Sequence, residues 1–110
     1  MIELVVLNYL KSVLDVPVYM EIPSDAPGKF VLIEKTGSSE ENYIMGATFA
    51  IQSYAESLYE AAALNESVKE KMRGIIDDND ISKLQLNSDY NFTDTTTKHY
   101  RYQAVFNLFY

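Results

Sequence analysis

The chain has 110 residues, the usual size of one domain, and 47% of them are hydrophobic, enough for an ordinary core without metal or disulfide. There is no cysteine, which removes disulfide frameworks, thiolate metal sites and cysteine nucleophiles together and fits a reducing compartment. Sixteen acidic against nine basic residues give a net charge of −7, and the cations are scattered, so the basic patch that nucleic-acid binding needs is not written here.

The first segment, Met1-Ile-Glu-Leu-Val-Val-Leu-Asn8, lacks a basic leader and is broken by Glu3 and Asn8, so it reads as neither signal peptide nor membrane span. From Ile2 to Leu14 the apolar residues Leu4, Leu7, Leu10 and Leu14, widened by Val5 and Val13, recur at three- and four-residue steps, which predicts an amphipathic helix. The helix should end before Pro17, because the residue preceding a proline is pushed toward extended geometry. Val18–Ile22 reads as a short strand with Glu21 turned from the core, and the Pro23 to Gly28 run as a turn-rich loop.

Phe30–Thr36 is the next strand, with Phe30, Leu32 and Glu34 on one side and Val31, Ile33 and Lys35 on the other. Two mostly apolar sides place it near the middle of a sheet. The polar stretch from Gly37 to Asn42 follows as a hairpin-type connection or a mobile loop. Tyr43–Tyr54 is a long strand, with Thr48, Ala50, Gln52 and Tyr54 opposite Ala47, Phe49, Ile51 and Ser53.

Ser57-Leu-Tyr-Glu60 matches a capping box, in which the serine accepts from a free backbone N–H and the glutamate reaches back. The helix it opens carries Leu64, Val68, Met72 and Ile76 in steps of four, flanked by Ala61, Ala62 and Ile75, and runs to Met72 or Ile76 before the Asp77 to Asp80 stop. Ile81–Phe92 is a strand in which Leu84, Leu86, Tyr90 and Phe92 alternate against Gln85, Asn87, Asp89 and Asn91. Thr93 to Lys98 turns the chain into a terminal strand that runs to Tyr110, and this pair should be antiparallel. In that strand Tyr100, Tyr102, Ala104, Phe106, Leu108 and Tyr110 form one apolar, aromatic face, against His99, Arg101, Gln103, Val105, Asn107 and Phe109. A chain end held inside a sheet points to a core or a subunit contact. The order is α-β-β-β-α-β-β, in one domain.

Chemistry is sparse in this sequence. His99 is the single histidine, so any Ser-His-Asp arrangement must use it; a partly exposed strand-end residue is the expected role. Ser53, Ser57 and Ser67 lie in no nucleophile-elbow pattern. Asp77, Asp78 and Asp80 approach a calcium loop, but Lys83 stands where the glycine is required. The four glycines, Gly28, Gly37, Gly46 and Gly74, form no phosphate-binding spacing. Nine tyrosines are more than a core of this size uses, a hint of self-association. No catalytic residue, metal or cofactor is expected.

An ordered set of segments carries a resemblance. It comprises Val16-Pro-Val-Tyr-Met-Glu-Ile-Pro23 after the first helix, Phe30-Val-Leu-Ile-Glu-Lys-Thr-Gly37, Ala50-Ile-Gln-Ser-Tyr-Ala-Glu-Ser57, and Asp94 followed by Tyr100-Arg-Tyr-Gln103. In order and length the chain resembles the tail-terminator (tail-completion, minor tail) proteins of long-tailed bacteriophages of Gram-positive hosts. That likeness implies a non-enzymatic structural subunit of a homo-oligomeric ring, a hexamer. The ring caps the tail tube, halts its polymerisation, and offers its other face to the head-completion proteins of the connector. Genome DNA passes through the lumen without specific binding. The location implied is the head–tail junction of the virion, and the host cytoplasm during assembly, with no membrane partner.

The architecture expected is α+β: a mixed, mostly antiparallel sheet of about five strands with two helices packed on it. The candidate docking residues are the loop Gly37, Ser38, Ser39, Glu40, Glu41 and Asn42 and the loop from Asp94 through Thr95, Thr96 and Thr97 to Lys98. Glu34 and Arg101 are candidates for polar contacts between subunits. Ring closure is expected to use strand-edge or aromatic surface from Tyr43 to Tyr54 and the terminal strand. A portal-side adaptor and a small ligand-binding or regulatory module are the rival readings.

Overall fold

The computed structural model describes residues 1–78 and 80–110, Asp78 in its backbone only. The elements run α1 (Ile2–Val13), β1 (Val18–Tyr19), β2 (Phe30–Glu41), β3 (Ile44–Ala55), α2 (Leu58–Met72), α3 (Ile75–Asp78), β4 (Lys83–Asn91) and β5 (Tyr100–Phe109). Five strands form one mixed sheet in the order β1-β2-β3-β5-β4. Only the β1–β2 pair is parallel; the other three pairs are antiparallel. The α+β class and the element order expected from the sequence are those observed, with the four-residue α3 added after α2.

Both long helices cover one face. There the β3 residues Ala47, Phe49 and Ile51 join Val31 and Ile33 of β2 and Ala104, Phe106 and Leu108 of β5. Onto them α1 lays Ile2, Val6, Tyr9 and Leu10, and α2 lays Leu64, Val68 and Met72. The Tyr9 hydroxyl donates to the Lys71 carbonyl at 2.6 Å and ties the two helices. It approaches Gly74 so closely that a β-carbon there would lie 2.7 Å from the oxygen. The serine half of the capping box forms as read, the Glu60 N–H donating to Ser57 Oγ at 3.1 Å, while the Glu60 carboxylate reaches back to the serine hydroxyl, accepting from it at 3.3 Å.

Several local readings change. Of the expected α1 stripe Leu10 is buried and Val5, Leu7, Val13 and Leu14 pack half-buried on the core, but Leu4 is 43% exposed and the fully buried positions are Ile2, Val6, Tyr9 and Leu10. The first turns are apolar on nearly every side, so periodicity allows more than one face and packing selects among them. At the far end of α2 the chain turns at Arg73–Gly74, which buries Ile75 and leaves Ile76 exposed. The first strand shortens to Val18–Tyr19, and Ile22 is exposed.

The stretch from Gly37 to Glu41 is strand rather than loop. It continues β2 past a bulge at Thr36 and pairs with β3 out to Glu41 opposite Ile44. β2 lies between β1 and β3, as expected of its two apolar sides, but β1 meets it only at Val31 and Leu32, so from Glu34 to Glu41 it is a sheet edge. The connection is then two residues, Asn42 at φ 52° and Tyr43 at φ 67°. Positive φ at both centres is the geometry of a type I′ hairpin turn, which favours Asn-Gly. Asn42 suits the first place, but Tyr43 holds a left-handed backbone that costs an ordinary residue roughly 1–2 kcal/mol. Tyr43→Gly is therefore expected to raise stability by about 1 kcal/mol, since glycine takes that backbone freely. An upward shift of the urea midpoint at unchanged slope is the readout; a lower midpoint would show the ring packing on its own protein.

In β4 a bulge between Leu86 and Ser88 inserts Asn87 as an extra residue. Leu84 and Leu86 face the helices opposite Leu108 and Phe106, as expected, but alternation then inverts. Asp89 arrives on the helix side, where its Oδ1 accepts from Asn65 Nδ2 and its Oδ2 from Lys69 Nζ, each at 3.3 Å. Lys69 also meets Glu66 at 2.8 Å. Its hydrogen bond to Glu66 raises its pKa against the opposing effect of burial, with Asp89 adding to the rise.

Candidate functional site

The sheet face away from the helices carries the polar chemistry. Gln52 of β3 and Gln103 of β5 are register partners, both buried in the middle of apolar strands. Gln52 Nε2 donates to Gln103 Oε1 at 2.8 Å, and Gln103 Nε2 donates to the Tyr90 hydroxyl at 2.6 Å. On the other side the Tyr54 hydroxyl donates to Gln52 Oε1 at 3.0 Å and accepts from Arg101 Nη1 at 2.7 Å. Arg101 Nε donates to the Phe92 carbonyl at 2.7 Å, and its guanidinium lies 4.5 Å from the Phe92 ring centre. One directional chain of hydrogen bonds thus crosses β3, β5 and β4. Each donor faces an acceptor, the condition under which a buried polar row is stable.

Beside this chain, at the end of the sheet where β2 begins and β3 stops, lies a cleft of about 410 Å³. One wall is the loop 22–29, represented by Ile22, Ala26 and Pro27; the other is Lys98, His99 and Tyr100. Its floor includes Phe30 and Tyr54, whose rings stack at 4.5 Å with 9° between planes. Tyr19 meets the Phe30 edge at 5.8 Å. Glu56 folds over Gly28, where a β-carbon would fall 2.6 Å from Glu56 Oε1, so a larger residue there would turn the exposed glutamate aside. The volume and the mostly apolar walls are those of sites that take a small group or a side chain.

The sequence candidates divide between the two ends of the sheet. Gly37, Ser38, Ser39, Glu40, Glu41 and Asn42 lie on or beside the β2–β3 hairpin and are exposed. Asp94, Thr95, Thr96, Thr97 and Lys98 form the β4–β5 turn at the opposite end, next to the cleft, and the structure does not bring the two groups together. Glu34, exposed on the edge strand, is paired in register with Ala50. Arg101 is half-buried and held by Tyr54 and Phe92, so its first role is within its own chain. His99 is exposed at the mouth of β5 and lines the cleft.

Edge contacts through Tyr43–Tyr54 or the terminal strand meet an obstacle, because β3 and β5 are each paired on both sides. The free edges belong to β1, to β2 from Glu34 to Glu41, and to β4, and Tyr43 itself is in the turn. Of the Asp77, Asp78 and Asp80 set, the side chain of Asp78 lies outside the described residues. Among the described residues no three His, Asp or Glu side chains group as metal ligands, and no helix is long and apolar enough to cross a membrane.

The β4–β5 turn has its own electrostatics. Asp94 Oδ1 accepts the Thr96 N–H at 2.9 Å, while Lys98 N–H donates to the Asp94 carbonyl at 2.8 Å. The Thr96 amide first, and Thr97 next, hold the Asp94 carboxyl below the ordinary aspartate value of 3.8. A depressed carboxyl contributes stability that is present above the ordinary value and lost as pH falls through the lowered one. The Thr96 amide should accordingly be protected from exchange at pH 5 and lose protection in the acid range below 3.8. Asp94→Asn should weaken that protection at pH 5 and abolish its pH dependence; acid-insensitive protection in the wild type would refute the carboxylate's part.

The cleft and the glutamine row were not legible as a site. The available signal was the pair of glutamines at the centres of two apolar strands, Gln52 and Gln103. No family model matches the chain, and no curated protein is significantly similar to it.

Proposed function

We propose that this chain is a structural ring subunit of the tail-terminator type, working by geometry at the junction of a phage tail and head. The observation that carries the reading is architectural. The chain order and a mixed sheet with both long helices on one face agree with what the resemblance of Val16–Pro23, Phe30–Gly37, Ala50–Ser57 and Tyr100–Gln103 implies. The surface adds support. The hairpin end exposes Tyr43, Ile44 and Met45 in succession, the far end holds an apolar cleft, and a subunit of a closed ring needs two different surfaces that fit one another.

The partners in this reading are further copies of the chain in a hexameric ring, the tail-tube protein on one face and head-completion proteins on the other. The acidic surface suits passage of DNA through a lumen without holding it. The test is to mix the purified protein with self-assembled tail-tube protein and view tube ends by electron microscopy. Rings capping tubes of limited length are expected. Bare ends on tubes of unchanged length would overturn the reading, and co-purification with a portal instead would move the protein to the head side.

A small-ligand module is the second reading, favoured by the 410 Å³ cleft and its stacked aromatic floor. A persistent monomer that binds an aromatic small molecule in the cleft would establish it.

A further inference from the structure

Three features of the hairpin tip belong together. Tyr43 keeps a left-handed backbone at φ 67° in a turn position where glycine is the easy choice. Its side chain is 96% exposed, so nothing in its own chain repays that backbone. It is flanked by Glu40 and Glu41 on one side and by exposed Ile44 and Met45 on the other. Strain held at an exposed position is a pointer to function, and tyrosine is among the residues that most often anchor protein contacts.

The complementary surface is on the same molecule, at the other end of the same strand. β3 runs from the hairpin to the cleft, ten residue steps from Ile44 to Tyr54, on the order of 30 Å at the usual strand rise. The cleft is apolar, has an aromatic floor and is large enough for a phenol ring. The cleft lining brings Lys98 and His99 together with Glu56, while Glu41 and Glu40 stand two and three residues before Tyr43 in the hairpin. Distance forbids a chain from filling its own cleft, but a second copy meets no such limit.

We infer that the Tyr43 side chain of one copy enters the Phe30–Tyr54 cleft of the next, with Glu40 and Glu41 of the hairpin against Lys98 of the cleft rim. Such a contact joins unlike surfaces and therefore propagates head to tail, closing into a ring where the rotation per copy allows it. The inference rests on the ring reading for its biological use, but not for its physical argument. Charge at the rim steers and orients the approach, and the buried ring supplies the anchor.

Two substitutions separate the partners. Tyr43→Gly removes the knob and eases the turn, so it leaves a folded protein. Ala26→Trp fills the cleft from its half-buried loop wall and leaves the hairpin intact. In sedimentation velocity over a concentration series, the wild type should gain mass above the 12.6 kDa of one chain, and each variant alone should lose that gain. Mixed in equal amounts, the two variants should form a species of two chains and no larger, because each supplies the one surface the other lacks. A wild type that stays monomeric, a Tyr43→Gly protein that associates like the wild type, or a mixture that stays monomeric would each overturn the inference. Tube capping is read separately. Rings of Tyr43→Gly on tubes would sink this contact and leave the ring reading standing, whereas wild-type oligomers that ignore tubes would do the reverse.

Discussion

Replacing Phe106 by alanine is expected to lower stability by about 3–5 kcal/mol, the usual cost of emptying a phenylalanine site in a core. Phe106 is 2% exposed and stands on the helix side of β5, opposite Phe49 of β3 and Leu86 of β4. These strands are held together by their backbone ladders, so the hole can collapse only partly. A domain of this size has roughly 5–15 kcal/mol in all, so the loss is a large share, visible as a fall in melting temperature on the order of 15 °C. Association measured well below the melting point should be unchanged, because the ring reaches no outer surface. Tyr102, four residues earlier on the same face, is only half-buried, and its truncation should cost distinctly less. Unchanged melting with lost association for Phe106→Ala would place that ring in an interface and contradict the core described above.

The second large effect is expected in the glutamine row. Gln103→Leu takes away the acceptor of Gln52 Nε2 and the donor to the Tyr90 hydroxyl. Gln52→Leu strands Gln103 Oε1 and the Tyr54 hydroxyl proton. Leaving a buried partner unsatisfied costs about 1–3 kcal/mol in each case, whereas replacing both members by apolar groups of similar shape comes close to neutral. The double variant should therefore lose less than the two single losses added, with a coupling on the order of 1–2 kcal/mol in a double-mutant cycle. Arg101 continues to hold the Tyr54 hydroxyl in the double variant, and Tyr90, exposed at the end of the row, can turn to water. Strict additivity in urea unfolding would show that the two amides do not depend on each other.

These two expectations draw on different kinds of legibility. Phe106 was readable from alternation in the terminal strand, because a strand that reads Tyr100, Tyr102, Ala104, Phe106, Leu108 has a face whose burial needs no further information. Gln103 lay in the opposite set, and nothing local to β5 says that it meets Gln52 fifty-one residues away. The same limit applies to β4, where expectation and structure agree through Leu86 and part at Asn87. A bulge is a relation between two strands, and Asp89 reaches Lys69 only because of it. The Gly37–Asn42 stretch was open between hairpin connection and mobile loop because Gly, Ser and Glu carry no apolar period. Pairing with β3 made most of it strand. The cleft, for its part, is built from the loop 22–29, β2, β3 and the β4–β5 turn, which are neighbours only in the folded chain.

What the sequence determined by itself is therefore what short-range chemistry decides. It contains the element order, the Ser57 cap of α2, the helical period of α2 as far as Met72, the core face of β5 and the antiparallel pairing of the last two strands. Each depends on residues within a few positions of one another, or on alternation along one segment. Tertiary structure alone decided which positions of α1 are fully buried, that β2 becomes an edge from Glu34 onward, where the bulges fall, and which polar groups share the helix-free face. It also decided that an exposed tyrosine and an apolar cleft lie at opposite ends of one strand. Those outcomes turn on register and on choices among nearly equivalent apolar faces, and both are settled by partners distant in sequence, whose combined burial outweighs any local preference.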